Sequence, residues 1–392
     1  MSLGKRIIFF AILFIIVITA CEVMAWAAIR LYFPQYVIAR RLLMGDQSQY
    51  YTRAQATIGQ AYLLYVPAPN YTDNQGIMQH NEDGYRGKWV PLQRSQGKPR
   101  ILFLGGSTTY GSAIKDPAKT YPAQIRDLLK NQRPEGVEDI EVINAGLTWG
   151  TSAELLTHYQ FKYRYYRPDL VVIHTGLNDA QANVSGFYHP DYSHWRHQML
   201  NLGPLRPRAK WLMYSHTASL IILNLFYNEI IDGNHFVSYR PPLIQWNGKV
   251  RSPKVKQAVI GGPTVPAWYD TVKYDPLAPQ KIPDGELAFS NNLRTLVREI
   301  QHDGAKILFV LARPNPNPNP HGYFSVEMLE QIYRHEHLMK QMSSEYQFPV
   351  APFPAGVVSK ENWVDDCHIT GEGASEKAVH ILPYIRQILW PE

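Results

Sequence analysis

From Arg100 onward the chain alternates short, predominantly apolar runs with stretches whose apolar residues recur at helical spacing, and this alternation constrains the fold more than any other feature. The apolar runs cover residues 101–104, 140–143, 170–173, 306–311 and 349–353, and the helical stretches cover 121–131, 152–166, 287–302, 326–345 and 373–389. A strand with no polar side has both faces covered, and strands alternating with helices pair in parallel. The expected class is therefore α/β: a three-layer sandwich with a parallel sheet of about five strands. Residues 187–285 carry many prolines and aromatics and are too long for an ordinary loop, so they read as an insertion or subdomain. No repeat of 20 to 50 residues is visible.

The second constraint lies at the N-terminus. Residues 7–29 carry one formal charge, Glu22, and at about 1.5 Å per residue the run is long enough to cross a bilayer. A transmembrane helix or signal anchor is expected there, behind a short tail (1–6). A competing reading is a lipoprotein signal, since Ile18-Thr19-Ala20-Cys21 follows a basic and apolar leader; the apolar character continuing to Leu31 weighs against it. Lys5 and Arg6 precede the run while Arg30, Arg40 and Arg41 follow it, so charge alone leaves orientation open. The expectation is a cytoplasmic N-terminus with the remainder on the extracytoplasmic, periplasmic side. Residues 30–98 read as a juxtamembrane region that packs on the α/β domain.

Composition narrows the partners. Of 392 residues, 45% are hydrophobic and 18% charged, which excludes a disordered chain. The net charge of +6 is not gathered into a Lys/Arg run, so nucleic acid is not an expected partner. Cys21 and Cys367, the two cysteines, cannot form a disulfide framework or a four-thiolate zinc site.

In an open parallel sheet, ligands bind beyond the carboxyl ends of the strands, so the residues following each strand are the ones to inspect. The first strand is followed by Gly105-Gly106-Ser107-Thr108-Thr109, the second by Asn144-Ala145-Gly146, and the third by Thr175-Gly176-Leu177-Asn178-Asp179. Beyond the fifth stands Asp365-Asp366-Cys367-His368-Ile369-Thr370. Ser107 is a weak nucleophile unless a base takes its proton, and His368, with an ordinary pKa near 6.5, suits that task. Asp365, three residues before it, is one helical turn away and can hold the imidazole; Asp366 is the other carboxylate within reach. The backbone amides of Ser107 and Gly146 with the side-chain amide of Asn178 are the candidate oxyanion donors. Neither a cofactor nor a metal is called for.

Gly105-Gly106-Ser107-Thr108, Gly146, Gly176-Leu177-Asn178-Asp179 and Asp365-x-x-His368 followed by Ile369-Thr370-x-x-Gly373 together resemble the SGNH hydrolase superfamily, the GDSL esterases, in a membrane-anchored bacterial form. The resemblance spans about 99–186 and 287–392, and the turn 81–87 is similar to a lead-in seen in bacterial members. It implies a flavodoxin-like fold, an SGNH domain over 99–392 interrupted at about 187–285, and catalysis by Ser107, His368 and Asp365. Gly106 departs from the family name, which has Asp there.

Each motif alone has a blander account. Gly-Gly-Ser-Thr and Gly-x-Asn-Asp are turn compositions, and Asp-x-x-His before a helix can be an N-cap. Their order, each at the same sheet edge, favours the catalytic reading. Neither a P-loop nor a dinucleotide fingerprint is present at 105–111, and the elbow G-x-S-x-G fails at Thr109. His189, Asp191, His194 and His197 read as a solvated polar loop before a metal site, His335 and His337 do not share a helix face, and Cys367 reads as packing. The alternation 313–321 (RPNPNPNPH) reads as a stiff spacer at the crevice border. The aromatics Tyr188, Tyr192, Trp195, Trp211, Tyr214, Trp246, Trp268 and Tyr269 read as packing before sugar platforms. The expected substrate is an acylated glycan of the cell envelope that loses or exchanges an O-acetyl group. Alternatives are a lipid esterase or lysophospholipase, and a non-catalytic carbohydrate-binding partner.

Overall fold

The computed structural model describes residues 2–33, 36, 56–60, 62–73, 75–184, 192, 214–231, 284–317, 324 and 326–391. In chain order the elements are α1 (Leu3–Leu31), β1 (Thr57–Gln60), β2 (Leu64–Pro67), β3 (Arg100–Gly105), α2 (Ser107–Tyr110), α3 (Tyr121–Asn131), β4 (Glu141–Gly146) and α4 (Ser152–Phe161). They continue with β5 (Leu170–His174), α5 (Leu177–Val184), α6 (His216–Ile231), α7 (Asp284–His302), β6 (Lys306–Val310), α8 (Val326–Tyr346), β7 (Val350–Ala351) and α9 (Gly371–Leu389). The chain divides into two compact units, Met1–Ala54 with Asn201–Gly248, and Gln55–Leu200 with Lys249–Glu392.

In the larger unit five parallel strands lie in the order β4-β3-β5-β6-β7. Alternate side chains of each strand leave on opposite faces, and both faces are apolar, as the unbroken runs predict. Leu102, Leu104, Ile143, Val171, Ile173 and Phe309 pack against Phe289, Leu293 and Leu296 of α7 and Met339 and Met342 of α8. Ile101, Phe103, Val172, Leu308 and Val310 pack on the other side against Ile125 and Leu129 of α3 and Ala378, Ile381 and Ile385 of α9. The expected three-layer α/β sandwich is thus realised, with the flavodoxin-like order.

Boundaries shift where backbone chemistry intervenes. The helical stretch 152–166 breaks at Lys162, whose φ of −137° and ψ of −66° end α4, and continues as one 3₁₀ turn, Tyr163–Tyr166. The last strand pairs only at Val350 and Ala351. The last helix opens at Gly371, where the Thr370 hydroxyl accepts from the Gly373 amide at 3.1 Å. The turn 81–87 closes through Asn81 Oδ1, which accepts from the amides of Asp83 and Tyr85 at 3.1 and 3.3 Å. Its Arg86, fully buried, donates to the carbonyls of Gly111 at 2.9 Å and Lys115 at 3.2 Å, and so holds the loop that follows α2.

In the smaller unit α1 is a single uninterrupted helix, with residues 3–20 exposed along its length, long and apolar enough to cross a membrane. Glu22, the one charge in the apolar run, has a purpose that sequence alone did not reveal. Its carboxylate accepts from the Ser215 hydroxyl, from the His216 amide at 2.7 Å and from the Thr217 amide at 3.4 Å, capping the N-terminus of α6. Of the insertion expected at 187–285, only Tyr192, 214–231 and 284–285 fall among the described residues; His189, Asp191, His194, His197 and most of the aromatics lie outside them.

Candidate active site

The order β4-β3-β5 places the switch in chain direction between β3 and β5, and their carboxyl ends open a crevice. Ser107 enters it as the first residue of α2, directly after β3, and Asn178 enters as the second residue of α5, after β5. His368 arrives on the loop between β7 and α9, with 260 residues of chain between it and the serine.

The three side chains form a continuous relay. His368 Nε2 lies 2.8 Å from Ser107 Oγ, and His368 Nδ1 lies 2.7 Å from Asp365 Oδ2. The Asp365–His368 spacing works through a turn and not through a shared helix face, because residues 365–368 precede α9. Asp365 Oδ1 accepts from the amides of Cys367 at 2.9 Å and His368 at 2.8 Å, fixing the loop while Oδ2 faces the imidazole. The N-cap-like bonding and the triad bonding therefore coexist in one carboxylate. Asp366 is not the alternative partner: its side chain is buried and accepts from the Phe324 amide at 2.9 Å.

Burial alone would raise the Asp365 pKa, but the hydrogen bond and charge of His368 with two backbone amides outweigh it and hold the carboxyl well below the ordinary carboxylate range. Burial would likewise lower His368, and the Cys367 sulfur and the Asp365 carboxylate outweigh that and raise the imidazole above its ordinary value. The pair thus favours the charged form of both partners, carboxylate and imidazolium.

Of the three expected oxyanion donors, Ser107 and Asn178 stand in the first turns of α2 and α5. The Ser107 amide is the first of α2, for which the helix itself provides no acceptor. Asn178 Nδ2 donates one hydrogen to the Gly150 carbonyl at 2.9 Å, and its second hydrogen is available to a ligand. A Cβ on Gly106 would stand 2.7 Å from Asn178 Nδ2, so a larger residue there would have to displace this amide. Gly146 is a correction. It is the last residue of β4, paired with Gly105, and its amide donates to Asn144 Oδ1 at 3.1 Å. A Cβ there would meet the Tyr110 amide nitrogen at 2.2 Å, so the glycine is required by packing under α2, and its amide is engaged by Asn144.

Residues that the motifs did not single out support the site. Asn315, in the loop after β6, donates through its side chain to the Asp365 carbonyl at 3.1 Å and through its amide to the Asp366 carbonyl at 2.7 Å. Its Oδ1 accepts from the Asn317 amide at 3.0 Å. The described part of the Pro-Asn segment, residues 313–317, is therefore clamped through Asn315 onto the turn that carries Asp365 and His368. We expect Asn315→Ala to lower kcat about 10- to 100-fold at an unchanged KM, since misplacement of about 1 Å costs that much; steady-state kinetics with an unaltered kcat would refute it. His335 is buried, stacks on Phe289 at 3.9 Å and lies 2.9 Å from the Gly176 carbonyl through Nδ1. Burial lowers its pKa to about 4, so it supports the Asn178 turn as a neutral ring.

Several solved structures are similar to this chain in backbone. They include a lipolytic protein of the G-D-S-L family from Desulfitobacterium hafniense (12% identity, 73% of this chain and 98% of that one, TM-score 0.37). A GDSL-like lipase from Bacteroides thetaiotaomicron follows (13% identity, 76% and 92%, TM-score 0.39), with a catalytic mutant of an acetylxylan esterase from Geobacillus stearothermophilus (16% identity, 73% and 94%, TM-score 0.38). No family model and no curated protein matches the chain.

Proposed function

We propose that the protein is a serine esterase, held at a membrane by α1, that removes or transfers an O-acetyl group on a cell-envelope glycan. The observation that carries this reading is the relay of 2.8 and 2.7 Å from Ser107 through His368 to Asp365 at the crevice of the sheet. Ser107 Oγ attacks the ester carbonyl as His368 Nε2 takes its proton. The oxyanion is met by the Ser107 amide and the second Asn178 N–H, each such donor being worth about 3 kcal/mol in the transition state. His368 then gives the proton to the departing sugar alkoxide, leaving an acyl-enzyme that water or a second sugar hydroxyl resolves.

We read the small cavity beside the imidazole as room for a short acyl group. The cavity lined by Thr108, Ser112, Ile114, Tyr121, His368 and Ile369 holds about 10 Å³, close to the room one water needs. The Ser112 hydroxyl is buried without a partner at this cavity. Membrane attachment through α1 puts envelope glycans within reach.

Purified protein assayed on p-nitrophenyl esters of increasing chain length is expected to prefer acetate over octanoate by about tenfold or more, as a pocket that admits a methyl group rejects added methylenes at about 1–3 kcal/mol. Preference for the long chain would move the assignment to a lipid esterase, and absence of hydrolysis on every ester would favour a non-catalytic glycan-binding role.

A further inference from the structure

Asp365, Cys367 and His368 present three different ligand atoms whose mutual distances all lie within 4.8 Å. Cys367 Sγ is 3.6 Å from His368 Nδ1, and Asp365 Oδ2 is 2.7 Å from the same nitrogen. Neither cysteine of the chain is in a disulfide. The Asp365 side chain is 29% exposed, which gives an ion a path to the cluster, and its other oxygen is fixed by two amides.

We propose that these residues form a zinc site that switches the esterase off. Zinc takes sulfur at about 2.3 Å and nitrogen or oxygen at about 2.0–2.2 Å in a tetrahedron, so its ligand atoms stand about 3.3–3.6 Å apart. The sulfur–nitrogen separation already has this value, the oxygen–nitrogen separation needs to open by about half an ångström, and the sulfur–oxygen separation, within 4.8 Å, closes to it by side-chain rotation. A thiolate with an imidazole favours zinc over the hard ions magnesium and calcium, and water fills the fourth position.

The binding step balances as a proton rearrangement. Sulfur–zinc, nitrogen–zinc and oxygen–zinc bonds form, and the Cys367 thiol proton goes to solvent. The neutral imidazole keeps its single proton but carries it on Nε2, because Nδ1 now donates its lone pair to the metal. Nε2, which faces Ser107 Oγ, has become a donor and cannot take the serine's proton, so the nucleophile is silent while the triad residues stay in place. No oxidant or reductant takes part.

The switch rests on the esterase reading, whereas the metal site does not, and the experiment separates them. Full-length protein in detergent is titrated with zinc chloride while p-nitrophenyl acetate hydrolysis is followed, each variant being compared with its own zinc-free rate. Cobalt chloride is titrated in parallel, and the thiolate-to-cobalt charge-transfer absorption is recorded. Zinc is expected to inhibit the wild type and Cys21→Ser reversibly, with chelator restoring the rate, and to lose potency by at least about tenfold against Cys367→Ser. The cobalt band is expected in the wild type, Cys21→Ser and Ser107→Ala, and to be missing from Cys367→Ser. A band that survives in Cys367→Ser, or equal zinc sensitivity with and without the thiol, overturns the proposal. An active wild type lacking the band overturns the metal site and spares the esterase. An inactive wild type showing a Cys367-dependent band does the reverse.

Discussion

Ser107→Ala is expected to abolish ester hydrolysis, lowering kcat by about 10⁴- to 10⁶-fold, with substrate binding retained. The magnitude is set by the groups that remain. Without Oγ no acyl-enzyme can form, yet the Ser107 amide and Asn178 still polarise a bound ester, which leaves a small rate above solution hydrolysis. His368→Ala removes the proton acceptor 2.8 Å from the same oxygen, so it should cost nearly as much. Because the two act as one device, the double variant should be hardly slower than either single one. Both variants are expected to fold, since Ser107 sits at the open edge of α2 and the site loop keeps its Asp365, Asn315 and Thr370 bonds. Additive losses, or a wild-type rate in Ser107→Ala, would show that hydrolysis occurs elsewhere or not at all.

Why the meeting of Ser107 and His368 could be expected from sequence, while the surroundings of Gly146 and Asn315 could not, has a physical answer. A strand buried on both faces announces itself by composition, and the residue following it is placed by the sheet and not by its own side chain. Ser107 and Asn178 therefore inherit their location from Ile101–Leu104 and Leu170–Ile173, runs that could be read directly. Gly146 failed because a glycine at a strand end fits two demands equally: close approach of substrate, or close approach of another backbone. Here the neighbour is Tyr110 of α2, a contact between segments some 35 residues apart that no local pattern encodes. Asn315 was hidden differently. Its role lies in bonds to the main chain of Asp365 and Asp366, which leave no mark on the identity of either partner. The same holds for Glu22, whose acceptor bonds reach Ser215 and His216 across nearly 200 residues. Pairing through backbone amides is invisible until the chain is folded.

Asp365→Asn carries the second large effect, and its sign can be worked out from the protonation of His368. Activity requires the neutral imidazole, so kcat/KM rises with pH through the His368 pKa. In the wild type the Cys367 sulfur and the Asp365 carboxylate outweigh burial and raise that pKa, and the rise should be centred above the ordinary value near 6.5. Asparagine keeps an oxygen for the amides of Cys367 and His368, so the turn survives. Its side-chain NH₂ would face the Nδ1–H, and the ring would be driven to carry its proton on Nε2, the wrong atom for a base toward Ser107. The imidazolium also loses its anionic neighbour, and burial then acts with less opposition. Expected together are a loss of about 10³- to 10⁴-fold in kcat and a displacement of the acid limb to lower pH by about one unit or more, since one unit corresponds to about 1.4 kcal/mol of preferential stabilisation of the charged ring. A pH series on wild type and variant measures both. An acid limb that stays put while kcat falls would mean that Asp365 orients the ring without stabilising its charge, and a limb centred below pH 6 in the wild type would contradict the electrostatic account of this pair.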